Sequence, residues 1–230
     1  FISMSMGVLV SVIALRIRGL YFAIFTLVFA EIFFVLAQNR IMVDITGAED
    51  GFSFAVPDWI NATKNRITFY YIGLIYLVSA FLLVRQIVNS PTGRVMHAIR
   101  DNEDRALMLG YNTFFYKTLA IVLAGMLASG AGMLRGLLNK GASPSVLSIG
   151  FTMDPLLMTL VGGAATFIGP VVGAFAVVFL PEYLRVAENY RLVIYGFILV
   201  AATIFMPRGL VPLVAQGLRA LVARLKREPR

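Results

Sequence analysis

Few side chains in this sequence can make or break bonds. There is no cysteine, so neither a thiolate nucleophile nor a disulfide can be built, and with His97 in a polar loop as the one histidine no Ser/His/Asp relay is credible. No group of His, Asp and Glu has metal-ligand spacing. No G-x-x-x-x-G-K-[ST] loop is present to cradle phosphates, so no cofactor is expected on this chain. His97 lies among basic residues in a polar stretch, which does not suit a proton relay through a bilayer. Three features remain. Glu31 is a carboxylate inside an apolar run. Gly93–Gly110 (GRVMHAIRDNEDRALMLG) is long, polar and of mixed charge. Gly162, Gly163, Thr166, Gly169 and Pro170 interrupt a third apolar run. Such groups can bind, pack and move; they do not catalyse.

The elements that position them are set by composition. Hydrophobic residues make up 59% and charged residues 14%, with a mean hydropathy of +0.84. A soluble domain needs roughly a quarter of its residues charged to cover its surface. Lipid must cover the rest, so the fold expected is an all-α polytopic transmembrane bundle. A spanning helix takes about 20 apolar residues. Leu20–Ala37, Thr68–Val88 and Phe115–Leu134 fit that length, the last apolar except for Lys117 near its start; Leu192–Met206 is apolar and shorter, and Phe1–Leu15 reads as the remainder of a cut helix. The run Asp154–Leu180 carries the glycines and proline at its middle, and these disrupt helices, so a broken helix pair is expected there. Five or six spans follow, one of them broken. Phe1 has no basic leader before it, so further helices are expected upstream.

Orientation follows from the basic residues of the loops. With the 89–114 loop inside the cell and the break counted as a turn, 13 of the 20 Lys and Arg lie inside. Treating Asp154–Leu180 as one span would put the basic tail outside. The Gln38–Ile67 loop, with Asp44, Glu49, Asp50, Asp58 and Trp59, then faces out. The division is a membrane domain over residues 1–210 and a basic cytoplasmic tail over 211–230. Within the tail, Pro212–Arg227 alternates apolar and basic positions like a short surface helix. The net charge of +8 is spread over loops and gives no nucleic-acid signature.

Each feature has a plain structural alternative. The polar stretch suits either a solvated connector or a short amphipathic helix that docks a partner. Asp101, Asn102 or Asp104 can cap such a helix, and Arg100/Asp104 and Asp101/Arg105 have the i,i+4 spacing of pairs on one face. Glu31 lies roughly 17 Å along its helix at 1.5 Å per residue, near mid-bilayer. A carboxylate there serves a pathway or an inter-helix contact, or is a protonated structural acid. The glycines suit close helix packing or a place in the pathway.

The polar stretch resembles the cytoplasmic coupling loop of branched-chain amino acid ABC transporter permeases. The matching positions are Ala98, Ile99, Arg100, Asn102, Glu103, Arg105, Ala106, Leu109, Gly110 and Asn112, with Leu107 and Met108 bulkier than usual. The break is similar to the same family at Val161-Gly162-Gly163, Thr166, Gly169-Pro170 and Gly173-Ala174, with Ala165 where a glycine is usual. Leu15-Arg16-Ile17-Arg18-Gly19, Tyr21, Glu31-Ile32, Thr46-Gly47, Gly51, Ser53 and Pro207-Arg208-Gly209-Leu210 extend the likeness, with Ala48 in place of a glycine. The resemblance implies an inner-membrane permease for leucine, isoleucine or valine. It also implies a second homologous permease, two cytoplasmic ATPase subunits carrying Mg-ATP, and a periplasmic or lipid-anchored binding protein. Ala98, Arg100, Asp101, Asn102, Glu103, Arg105, Ala106 and Gly110 are then expected at the ATPase contact. Glu31, Gly162, Gly163, Thr166, Gly169 and Pro170 are expected at the pathway or gate. A related importer for urea, short amides or other amino acids, a stand-alone secondary transporter or channel, and a non-transporting scaffold are the alternatives.

Overall fold

The computed structural model describes residues 2–17, 19–39, 43, 47, 51–57, 60–62, 64–164, 166–183, 196 and 209. The chain divides into two units, Phe1–Ser148 and Ile149–Arg230. Outside the described residues lie the expected span Leu192–Met206 (save position 196) and the tail 211–230. So do Arg18, Asp44, Thr46, Ala48, Glu49, Asp50, Asp58, Trp59, Ala165, Pro207, Arg208 and Leu210.

The first unit is built from α1 (Ile2–Ala14), α2 (Leu20–Gln38), α3 (Arg66–Asn89), α4 (Pro91–Asp101), α5 (Glu103–Met108) and α6 (Thr113–Asn139). Three of these, α2, α3 and α6, are long and apolar enough to cross a membrane. Their side chains are almost wholly uncovered by protein, and α2 and α3 bury none of their apolar stretch. In water that surface would be a large apolar patch of the kind soluble monomers avoid. In a bilayer the helix satisfies its own backbone and lipid covers the side chains.

Where helices do touch, small residues let them. Gly7 of α1 lies against α6, where a Cβ would come within 3.2 Å of Val122 Cα. One turn back along α1, the Ser3 and Ser129 hydroxyls hydrogen-bond at 3.1 Å. Between α3 and α6 the Tyr76 hydroxyl donates to the Leu127 carbonyl. Gly130 makes room for that ring: a Cβ there would stand 2.8 Å from Tyr76 Cζ. Small residues with a few hydrogen bonds are what hold helices together when lipid removes the hydrophobic drive.

After α6 comes a feature the all-α expectation does not include. A two-residue ladder pairs β1 (Phe52–Ser53) with β2 (Gly141–Ala142), antiparallel, Phe52 opposite Ala142 and Ser53 opposite Gly141. The Phe54 N–H adds a bond to the Lys140 carbonyl at 3.1 Å. Lys140 closes α6 in the left-handed region, φ 55, and turns the chain toward its partner strand. Gly51, φ +70, fits because a Cβ would lie 2.9 Å from Ser143 Cα. A short 3-10 turn, Pro144–Leu147, ends the unit.

The second unit contains α7 (Ile149–Gly162) and α8 (Gly169–Tyr183), packed closely on each other. Both are shorter than a full span, as expected of a broken pair. The first helix starts at Ile149, five residues before the expected Asp154, and carries Pro155 inside it.

Candidate functional site

The polar stretch folds as two short helices, α4 and α5, joined at Asn102. At its start, Ser90 caps α4: its Oγ accepts from the Gly93 N–H at 3.2 Å, and Pro91 takes the first helical position, where its missing N–H costs nothing. Gly93 packs on the end of α3, where a Cβ would stand 2.6 Å from the Val88 carbonyl carbon. That contact lets α4 leave α3 at once. The Asn102 N–H donates to the Ala98 carbonyl at 3.0 Å and closes α4. The Asn102 side chain then accepts from the Arg105 N–H at 2.9 Å and opens α5. Glu103 and Asp104 fill the first turn, where negative charge suits the helix dipole.

The far end of α5 is closed by paired bonds. The Tyr111 N–H donates to the Ala106 carbonyl at 3.2 Å and the Gly110 N–H to the Leu107 carbonyl at 2.9 Å. This is the Schellman arrangement, which needs a left-handed residue, and Gly110 supplies it with φ +86. Asn112 then caps α6 through the Phe115 N–H at 3.1 Å.

Asn102 is thus the cap among the three candidates, and it undoes the expectation of two i,i+4 pairs. Its extended backbone, φ −160 and ψ 104, interrupts the helix between Arg100 and Asp104 and between Asp101 and Arg105. The i,i+4 geometry does not exist across that stop, and among the described residues neither pair forms an ion pair. Instead Glu103 Oε1 meets Lys117 Nζ of α6 at 2.6 Å, with both side chains about one-third exposed. The pair lies at the edge of a cavity of about 610 Å³, walled otherwise by Leu15, Ile17, Phe22, Leu107, Phe114 and Ile121 among others.

Exposure sorts the remaining candidates. Arg94, His97, Ala98, Arg100, Asp101, Asn102, Asp104 and Arg105 are exposed, whereas Ile99 and Ala106 are buried. Met108 is 87% exposed and Leu109 extends the apolar tip beside it. Among the described residues no group of three or more His, Asp or Glu is placed to hold a metal. Glu31 stands eleven residues into α2, partly exposed, apart in sequence from the α4–α5 cluster.

The glycine break gathers its own candidates. The Gly163 N–H closes α7 on the Thr159 carbonyl at 3.0 Å, and Gly163 turns at φ 111. Thr166 locks the turn twice, with its N–H at 3.0 Å and its hydroxyl at 2.9 Å from the Gly163 carbonyl. Pro170 falls in the first turn of α8, where no donor is lost. Across the pair, Gly162, Gly169 and Gly173 meet backbone directly: a Cβ on Gly173 would lie 2.7 Å from Gly162 N. Gly209, φ +85 and buried, packs on the same turn, a Cβ there standing 2.9 Å from Gly162 C. Sequence reasoning placed Gly209 only in a terminal motif and Lys117 only as a charge near the start of a span. A lysine one turn into an apolar helix is the one signal that pointed to it.

Comparison with known proteins places this architecture. The family model described as the permease component of branched-chain amino acid transport systems matches residues 1–203. The chain is 25% identical to the high-affinity branched-chain amino acid transport system permease protein LivM of Salmonella typhimurium, over 99% of this chain and 59% of that protein. Against LivM of Escherichia coli it is 25% identical, over 93% of this chain and 56% of the relative. A probable LivM of Methanocaldococcus jannaschii is 21% identical over 70% and 52%. The chain therefore spans somewhat over half the length of these relatives. No solved structure matches it. The apolar helices and the family match together make this a multi-pass membrane protein, and the chain belongs to the family of branched-chain amino acid transport system permease components.

Proposed function

We propose that this chain is the membrane-spanning permease subunit of an ATP-binding-cassette importer that carries branched-chain amino acids across the cytoplasmic membrane. The observation that supports this best is the α4–α5 element. It is charged, capped at both ends and held between two helices long enough to cross a membrane. A rigid polar handle in that position is suited to a partner's grip. The partners are two cytoplasmic ATPase subunits, a second homologous permease and a periplasmic or lipid-anchored binding protein. ATP with magnesium binds the ATPases, and this chain catalyses no covalent step.

In this mechanism ATP closes the ATPase pair and pushes α4–α5, and the bundle passes between outward-open and inward-open packings. Two packings close in free energy are required, biased by the nucleotide state of the partner. Ala98, Arg100, Asp101, Asn102 and Arg105 meet the ATPase, while buried Ala106 and left-handed Gly110 shape the element. Glu31 and the turn from Gly162 to Pro170 belong to the pathway or its gate. The LivM relatives support leucine, isoleucine or valine as substrate. Reconstitution in vesicles with ATPase and binding protein tests the proposal: leucine uptake should require ATP. Uptake that persists without the ATPase subunits would refute it.

A further inference from the structure

We infer that Glu103 and Lys117 are positioning residues whose ion pair makes α5 and the start of α6 one moving body. The inference rests on the proposed function, because it concerns how a push on α5 reaches the membrane helices. Helix α5 has six residues, too few to hold an orientation alone. Its link to α6 runs through Gly110, where even an added Cβ would meet nothing within 4 Å. Its two capping bonds hold the turn, but nothing packs where a side chain would brace it. The Glu103–Lys117 contact crosses it, at 2.6 Å between charged groups, the short geometry of a charge-assisted bond. Buried Ala106 seats the helix but bears no directional group.

Beside the pair α5 borders open space. The cavity of about 610 Å³ is lined by Glu103, Leu107, Phe114 and Lys117 together with Leu15, Ile17 and Phe22. With the ion pair intact, a displacement of α5 must carry the first turns of α6 with it. With the pair removed, α5 can turn about Gly110 into the cavity, and the push is absorbed there. Glu103, which the resemblance puts at the ATPase contact, therefore acts inward, on α6, whereas exposed Arg100 and Arg105 face outward.

The inference separates assembly from coupling. In the reconstituted importer, leucine carried per ATP hydrolysed is measured beside co-purification of the ATPase. Glu103→Gln and Lys117→Gln should each lower that ratio about 2- to 5-fold, the scale of a partly exposed ion pair. ATPase recovery should stay unchanged, and the exchange E103K with K117E should restore most of the ratio. Lys117→Arg should keep it, which decides the matter if the exchanged variant does not insert. An unchanged ratio in both glutamine variants, an exchange no better than either, or a Lys117→Arg as impaired as Lys117→Gln overturns the inference. A native chain that brings down no ATPase refutes the proposed function itself.

Discussion

One methyl group placed at two glycines should have opposite effects. Gly173 lies in α8 against α7, and a Cβ there would stand 2.7 Å from Gly162 N and 2.8 Å from the Met158 carbonyl carbon. Both neighbours are backbone, so no side chain can swing aside. Ordinary contact begins near 3.4 Å. The Met158 carbonyl oxygen would lie closer still, so the helices of the broken pair must part by about an ångström or more, which strips contacts along both. Overpacking of this kind costs about 1–3 kcal/mol. Gly132 lies inside α6 with nothing within 4 Å of an added Cβ, and alanine there gains helix propensity of roughly 0.5–1 kcal/mol. For a chain of this size 1 kcal/mol moves Tm by about 2–4 °C. A 2 kcal/mol loss then lowers it by roughly 4–8 °C. Thermal unfolding in lipid nanodiscs compares Gly173→Ala with Gly132→Ala. Equal midpoints, or a more stable Gly173→Ala, would show that backbone contact does not hold the broken pair together.

Three further outcomes follow from named contacts. Gly110→Ala forces a side chain into the left-handed region at φ +86 and should destabilise the α5 cap by about 1–2 kcal/mol, read as faster proteolysis between α5 and α6. Asn102→Ala removes the acceptor for the Arg105 N–H and should cost about 1 kcal/mol, seen as faster amide exchange over Glu103–Met108 with α3 unaffected. Tyr76→Phe deletes the bond to the Leu127 carbonyl and should cost about 0.6 kcal/mol, at most about 1.7, in nanodisc unfolding.

The long helices were legible because apolar runs bounded by polar residues leave few alternatives. Their ends were not. Helix α6 runs past the expected Leu134 through Arg135 to Asn139, since nothing stops it until Lys140 turns left-handed. The break was legible because glycine and proline act locally, through φ and a missing donor. The ladder between β1 and β2 was not, as two residues carry no alternation to read. The Arg100/Asp104 and Asp101/Arg105 pairs misled because spacing alone assumes an unbroken helix, and Asn102 ends one helix and begins the next. Glu103 and Lys117 meet only because the Gly110 turn folds α5 back, which no sequence period encodes.

The little ladder beyond α6 has a mechanical result. Strand β2 begins two residues after that helix ends, and Lys117 sits near its beginning. The loop strand Phe52–Ser53 and the carboxylate of Glu103 are thus fastened to opposite tips of a single rod about 40 Å long, taking 1.5 Å for each of its 27 residues. A continuous helix moves largely as one piece, so a tilt begun at one tip should also displace what is fastened to the other.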